Sequence, residues 1–197
     1  MQKDTIFTYI IIIFVLFVCY KIYYESSYFQ LKCVISDVNG KKYCLRERER
    51  MDEASGLLAK VEMRCKDLIV FLKDKYPNKE EIKRLVKGFS NTIIQETLPT
   101  STLTAYSENK GDKIALCLLK EKEKTQLIDI ETLTFVAIHE LAHIMTESVG
   151  HKKEFWENFK FLLQNAKEAN IYNPRDFKKT PQNYCGMQIN DSPYYNL

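Results

Sequence analysis

The chain is short of histidine, with three in 197 residues, and it lacks any pattern that would turn its six cysteines into a dense framework. No CxxC pair occurs among Cys19, Cys33, Cys44, Cys65, Cys117 and Cys185, and one of them lies in an apolar N-terminal run. They read as buried free thiols in a reducing compartment, with a Cys33 to Cys44 disulfide as the alternative. Charge of one sign is scarce as well. The formal net charge is +3, and Lys and Arg are interleaved with Asp and Glu instead of forming a stripe, so no nucleic-acid partner is expected. Repeats and low-complexity tracts are missing. What is there is a globular balance, 45% hydrophobic and 28% charged, sized for one domain and an appendage.

The appendage is N-terminal. "TIFTYIIIIFVLFVCYKIYY", Thr5 to Tyr24, carries a single charge, Lys21, near its end. Twenty residues at about 1.5 Å each span roughly 30 Å, the hydrocarbon thickness of a bilayer, with Tyr20, Tyr23 and Tyr24 placed for the interface. A cleaved signal peptide is the rival, but no small-x-small site follows the run. Lys3 alone precedes it, whereas Lys21, Lys32, Lys41 and Lys42 follow. That bias favours a single-pass anchor with the C-terminal domain on the cytoplasmic side, in a cellular or virion membrane.

Residues 1–24 are thus read as tail and transmembrane helix, 25–50 as a linker with a small β-hairpin, and 51–197 as the folded domain. The hairpin is placed around Asn39-Gly40, a dipeptide suited to positive φ at both centres of a tight turn. Apolar Ala54, Leu58, Val61, Cys65, Leu68 and Leu72 recur at helical spacing and predict a helix over 51–75. A second helix over 80–87 is expected to stop at Gly88, and a polar loop to lead on to Pro99. "STLTAYS" and "DKIALCLLK" read as a second hairpin; its run Lys113 to Leu119 suits either core or an edge that pairs with an extended substrate. Helices are expected over 129–148 and 154–169, with a turn-rich tail beyond Pro174. The order of elements predicts a small α+β domain.

All three histidines fall in "AIHELAHIMTESVGHKKEFW", residues 137 to 156. His139 and His143 are four apart on a predicted helix, so their rings share one face and can converge on one ion. Glu140 sits beside the first, placed to take a proton from water. Zn²⁺ suits imidazole and lowers the pKa of its water, and a catalytic zinc needs a third protein ligand. Glu147 lies about 12 Å along a straight helix from His139, too far to share the ion. Gly150 can turn the chain and bring His151 back, which makes His151 the leading third ligand ahead of Glu154 and Glu157. Tyr106 and Tyr184 are candidates for the oxyanion donor that aromatic packing explains equally well.

"HELAHIMTESVGHKKEFW" resembles the core of the WLM and SprT-like zinc metallopeptidases, with HExxH on one helix and a third His just before Phe155 and Trp156. The segment from about Ser101 to Cys185 is also similar to membrane-anchored WLM-type proteins of large DNA viruses. The resemblance implies a compact zincin-like domain behind the anchor, one Zn²⁺ on His139, His143 and His151, Glu140 as base, and hydrolysis of a peptide or protein substrate. The alternative is a non-enzymatic membrane or virion protein whose zinc only holds the fold. Glu140 speaks against it, since a structural site needs closed ligation and no base.

Overall fold

A computed structural model of the chain describes residues 2–121 and 125–196; Met1, residues 122–124 and Leu197 lie outside it. Helix α1, Gln2–Glu25, carries the apolar run, and none of its Thr5–Glu25 window is buried in the protein although its mean hydropathy is 2.3. A one-turn helix α2, Ser27–Gln30, follows, with Ser26 accepting from the Tyr28 N–H as its cap.

Strands β1, Lys32–Ile35, and β2, Lys42–Leu45, pair antiparallel as expected. Their connection is longer than a two-residue turn. Only Gly40 takes positive φ there, and Asn39 instead uses its side chain, accepting from Lys41 N–H and donating to the Tyr43 hydroxyl. The hairpin does not stand apart from the domain. Tyr43 and Leu45 belong to the main core. Arg46 and Arg48, just beyond it, close on Glu96, which is fully buried; desolvation pushes that carboxyl above its ordinary range despite two guanidinium partners.

Helix α3, Met51–Lys75, buries all six residues of the stripe named above. Helix α4, Glu80–Phe89, runs through Gly88 instead of stopping there, because the missing side chain is needed for packing: a Cβ on Gly88 would lie 2.5 Å from Ile144 and 2.6 Å from the Lys110 carbonyl. The loop expected before Pro99 contains a third strand, β3, Ile93–Glu96. β4, Ala105–Glu108, and β5, Lys113–Leu116, complete a sheet in the order β3-β5-β4, with β3 parallel and β4 antiparallel to β5. β5 is therefore central, its two edges both taken. The edge strands are β3 and β4, and β4 is half-buried along its length.

Helix α5, Ile130–Met145, is capped by Asp129, whose carboxylate accepts from the Glu131 and Thr132 N–H groups. It packs against α3, α4, β4 and β5 and against helix α6, Lys153–Glu168, which explains its nearly continuous apolar sequence. It ends three residues earlier than the spacing predicts. The tail forms a short hairpin of β6, Gln182–Tyr184, and β7, Met187–Ile189, and a final turn α7, Pro193–Asn196.

The free-thiol reading of the cysteines is corrected for four of the six. Disulfides join Cys33 to Cys44 and Cys117 to Cys185, leaving Cys19 exposed and Cys65 buried as thiols. Register explains the first pair, since Cys33 and Cys44 are cross-strand partners. Tertiary packing explains the second, which spans 68 residues and pins the tail hairpin beside the end of β5.

Candidate metal centre

His139 and His143 leave α5 on the same face, with ring centroids 5.0 Å apart. The helix stops at Thr146, whose extended ψ of 137° turns the chain away, and Gly150, at φ +81°, turns it back. This returns His151 to within 5.0 Å of the His139 ring and 4.7 Å of the His143 ring, centroid to centroid. One nitrogen from each imidazole falls within 4.8 Å of the others, and the Nε2 atoms of His139 and His151 are 3.0 Å apart. Two nitrogens on one tetrahedral zinc, each about 2.05 Å from the ion, stand roughly 3.3 Å apart, so the trio has the size of such a site.

Burial also puts the two helical imidazoles, His139 and His143, in the ligand form. Desolvation, and then the neighbouring imidazoles, lower His139 to about 3, and desolvation first lowers His143 to about 4. Neutral rings are what a metal takes. Phe155, itself fully buried, packs within 4.8 Å of all three ring centroids and forms the apolar backing.

The returning loop is braced on both sides. Glu154 accepts from the Glu147 and Ser148 N–H groups and from the Ser148 hydroxyl, so this competing third ligand instead ties the loop to α6. Glu157, the other, pairs with Lys153, and Glu147 faces solvent beside Arg84 as expected. From the β4–β5 turn, the Lys110 ammonium donates to the carbonyls of His143, Thr146 and Ser148. No sequence signal marked Lys110 for this task. Trp156 donates its indole N–H to the His151 carbonyl, 3.1 Å away, which fixes the backbone of the third histidine.

Glu140 is buried, and desolvation lifts its carboxyl to about 7, opposed only by a hydrogen bond with Ser107 of β4. Its Oε2 has no protein partner. The carboxyl and the imidazoles of His139 and His151 together line a cavity of about 610 Å³. Thr104 and Ala105, at the start of the β4 edge, form one wall; Met187 and Ile189 of β7 form an adjoining one, and Phe135 and Phe159 add apolar lining. The tail's part in this cavity is invisible to spacing, because it depends on contacts between segments dozens of residues apart.

Neither tyrosine is poised as an oxyanion donor. Tyr184 spends its buried hydroxyl on the Thr104 carbonyl and the Cys117 N–H, and Tyr106 lies under the Lys113 ammonium on β4.

The WLM domain pattern matches residues 80–195 of this chain. An uncharacterised protein of Acanthamoeba polyphaga mimivirus is 30% identical over 185 residues, covering 92% of this chain and 91% of that protein. An uncharacterised protein of invertebrate iridescent virus 6 is 34% identical over 82 residues, or 41% of this chain and 44% of that one. Among solved structures, a mutant of Wss1 from S. pombe aligns with a TM-score of 0.41 at 20% identity, over 61% of this chain and 91% of that one.

Proposed function

The chain belongs to the WLM family, and from that premise we propose that it is a membrane-anchored zinc metallopeptidase. The observation that carries this reading is the convergence of three imidazoles beside a buried carboxylate oxygen with no protein partner. His139, His143 and His151 would hold the ion. Zinc bound there supplies Lewis-acid polarisation of the scissile carbonyl and of the attacking water.

Glu140 takes the proton that this water loses and passes it to the leaving amine. Its surroundings suit both halves of the task, because burial keeps the acid and base forms close in energy near neutral pH. The free edge of β4 pairs an extended substrate by main-chain hydrogen bonds, a role the sequence reading had offered to the now-central β5. Phe135 and Phe159 favour a bulky apolar side chain in the cavity.

Apolar helix α1 serves as the single-pass anchor. The lysine bias after the span favours the cytoplasmic face, whereas two disulfides favour an oxidising one. We place the domain on the oxidising side, since both disulfides join residues that the fold itself brings together. Protease protection of the domain in sealed cell-derived vesicles supports this placement, and digestion from the cytoplasmic side contradicts it.

The central test is Glu140→Gln. The variant should keep one zinc per chain by elemental analysis and lose about 10²- to 10⁴-fold in hydrolysis of casein. Native-rate hydrolysis by the variant, or no hydrolysis of any protein by the zinc-loaded wild type, would replace the peptidase with a zinc-held scaffold.

A further inference from the structure

The cleft sits close to the membrane end of the chain. At the last turn of α1 the carbonyls of Tyr23 and Tyr24 accept from the Gln30 side-chain amide, which folds α2 back against the end of the anchor. The Thr100 hydroxyl then lies 2.9 Å from the Tyr24 carbonyl and 3.1 Å from Gln30 Oε1. This is a contact between the anchor and the domain that bears the site, made across 76 residues of sequence.

Four residues after Thr100 the chain reaches Thr104, which lines the cavity, and Ala105, the first residue of the β4 edge. Four Cα steps of 3.8 Å cover at most about 15 Å. The Thr104 hydroxyl also meets the Met187 sulfur at 3.4 Å, so both walls of the cavity meet at this corner. Around it the side chains are apolar and open: Tyr28 is 85% exposed, Phe29 55%, Leu103 55% and Met187 49%. Such residues beside an anchor's tyrosines suit a headgroup layer better than bulk water.

The geometry points to a substrate class: the membrane-proximal segment of another membrane-embedded polypeptide, cut within about 30 Å of the bilayer. That limit adds a cavity roughly 10 Å across to the reach from Tyr24, and at about 3.4 Å per extended residue it corresponds to the first ten or so residues of a stalk. This inference rests on the anchored-peptidase reading above. A polypeptide held in the same bilayer also meets the cleft at a high effective concentration, which a soluble one does not.

The test reconstitutes the full chain, zinc-loaded, in phosphatidylcholine vesicles with a single-span bait protein carrying an unstructured stalk of about 60 residues, and offers soluble casein in parallel. Cuts mapped by mass spectrometry should fall at least about tenfold more often in the first ten to fifteen stalk residues than in the distal third. Even or distal cutting, with casein also hydrolysed, overturns the juxtamembrane assignment and leaves the peptidase standing. Failure to cut either protein removes the peptidase and this inference with it. A second measurement needs no activity. A fluorophore on Leu103→Cys, in a Cys19→Ser background, should be quenched about twofold or more by nitroxide-bearing headgroups, and an unquenched label places the corner away from the bilayer and overturns the assignment.

Discussion

At the scale of the residue, the same burial that shapes the site predicts how acid acts on it. In metal-free protein, His139 and His143 are held at about 3 and about 4, below an ordinary 6.5, while Glu140 is raised from 4.5 to about 7. As pH falls from 6.5 toward 4.5, the unfolded chain gains two imidazole protons that the folded chain refuses, so both histidines cost stability. Glu140 has the opposite sign. Its folded carboxyl is protonated where the unfolded one is still ionised, so acid favours the fold through it until about pH 4.5. Two groups against one leave a net loss with falling pH. Glu140→Gln removes the offset, and the slope of Tm against pH in chelator should become steeper than in the wild type. An unchanged slope would mean that Glu140 is solvated in solution.

At the scale of the element, the helix that carries His139 and His143 is positioned by a neighbour that holds its end through backbone carbonyls. Lys110 holds three carbonyls at the end of α5, and the β4–β5 turn that carries it lies directly on α4. Gly88 and Gly111 permit that approach: a Cβ on Gly111 would fall 2.3 Å from the Gly88 carbonyl oxygen. Gly88→Ala must push the turn outward, because the atoms it meets include backbone. Overpacking of this kind costs about 1–3 kcal/mol. Urea denaturation should show that loss, and zinc titration should show weaker binding as Lys110 is drawn off the loop. Weaker stability with unaltered zinc affinity would separate the turn from the site.

At the scale of the whole molecule, the core draws on residues ahead of the helical pattern that begins at Met51. A chain beginning there lacks Tyr43 and Leu45 from the core, and it strips both arginines from the fully buried Glu96. Breaking a buried ion pair alone costs about 3–5 kcal/mol. In a domain of this size that corresponds to a Tm roughly 10 °C lower or more. Calorimetry on residues 31–197 and 51–197 should therefore show a clear gap, with the shorter chain unfolded or far less stable. Equal melting would return the hairpin to the status of a linker.

The sequence by itself determined what is written within a few turns of chain. The α3 stripe, the HExxH pair on one face of α5, the reversal at Gly150, the length of the apolar run and the β1–β2 pairing all depend on spacing between near neighbours, and each is found in the structure. Even there, local pattern overran. It extends α5 to Ser148, because it cannot see Lys110 and Glu154 taking the backbone groups just past Met145. Only the tertiary structure decided that β5 is central with β3 and β4 at its edges, that Cys117 meets Cys185, and that the tail hairpin walls the cavity. Those outcomes join segments tens of residues apart, and they are selected by how well the whole core packs, since no stretch of chain holds both halves of the contact.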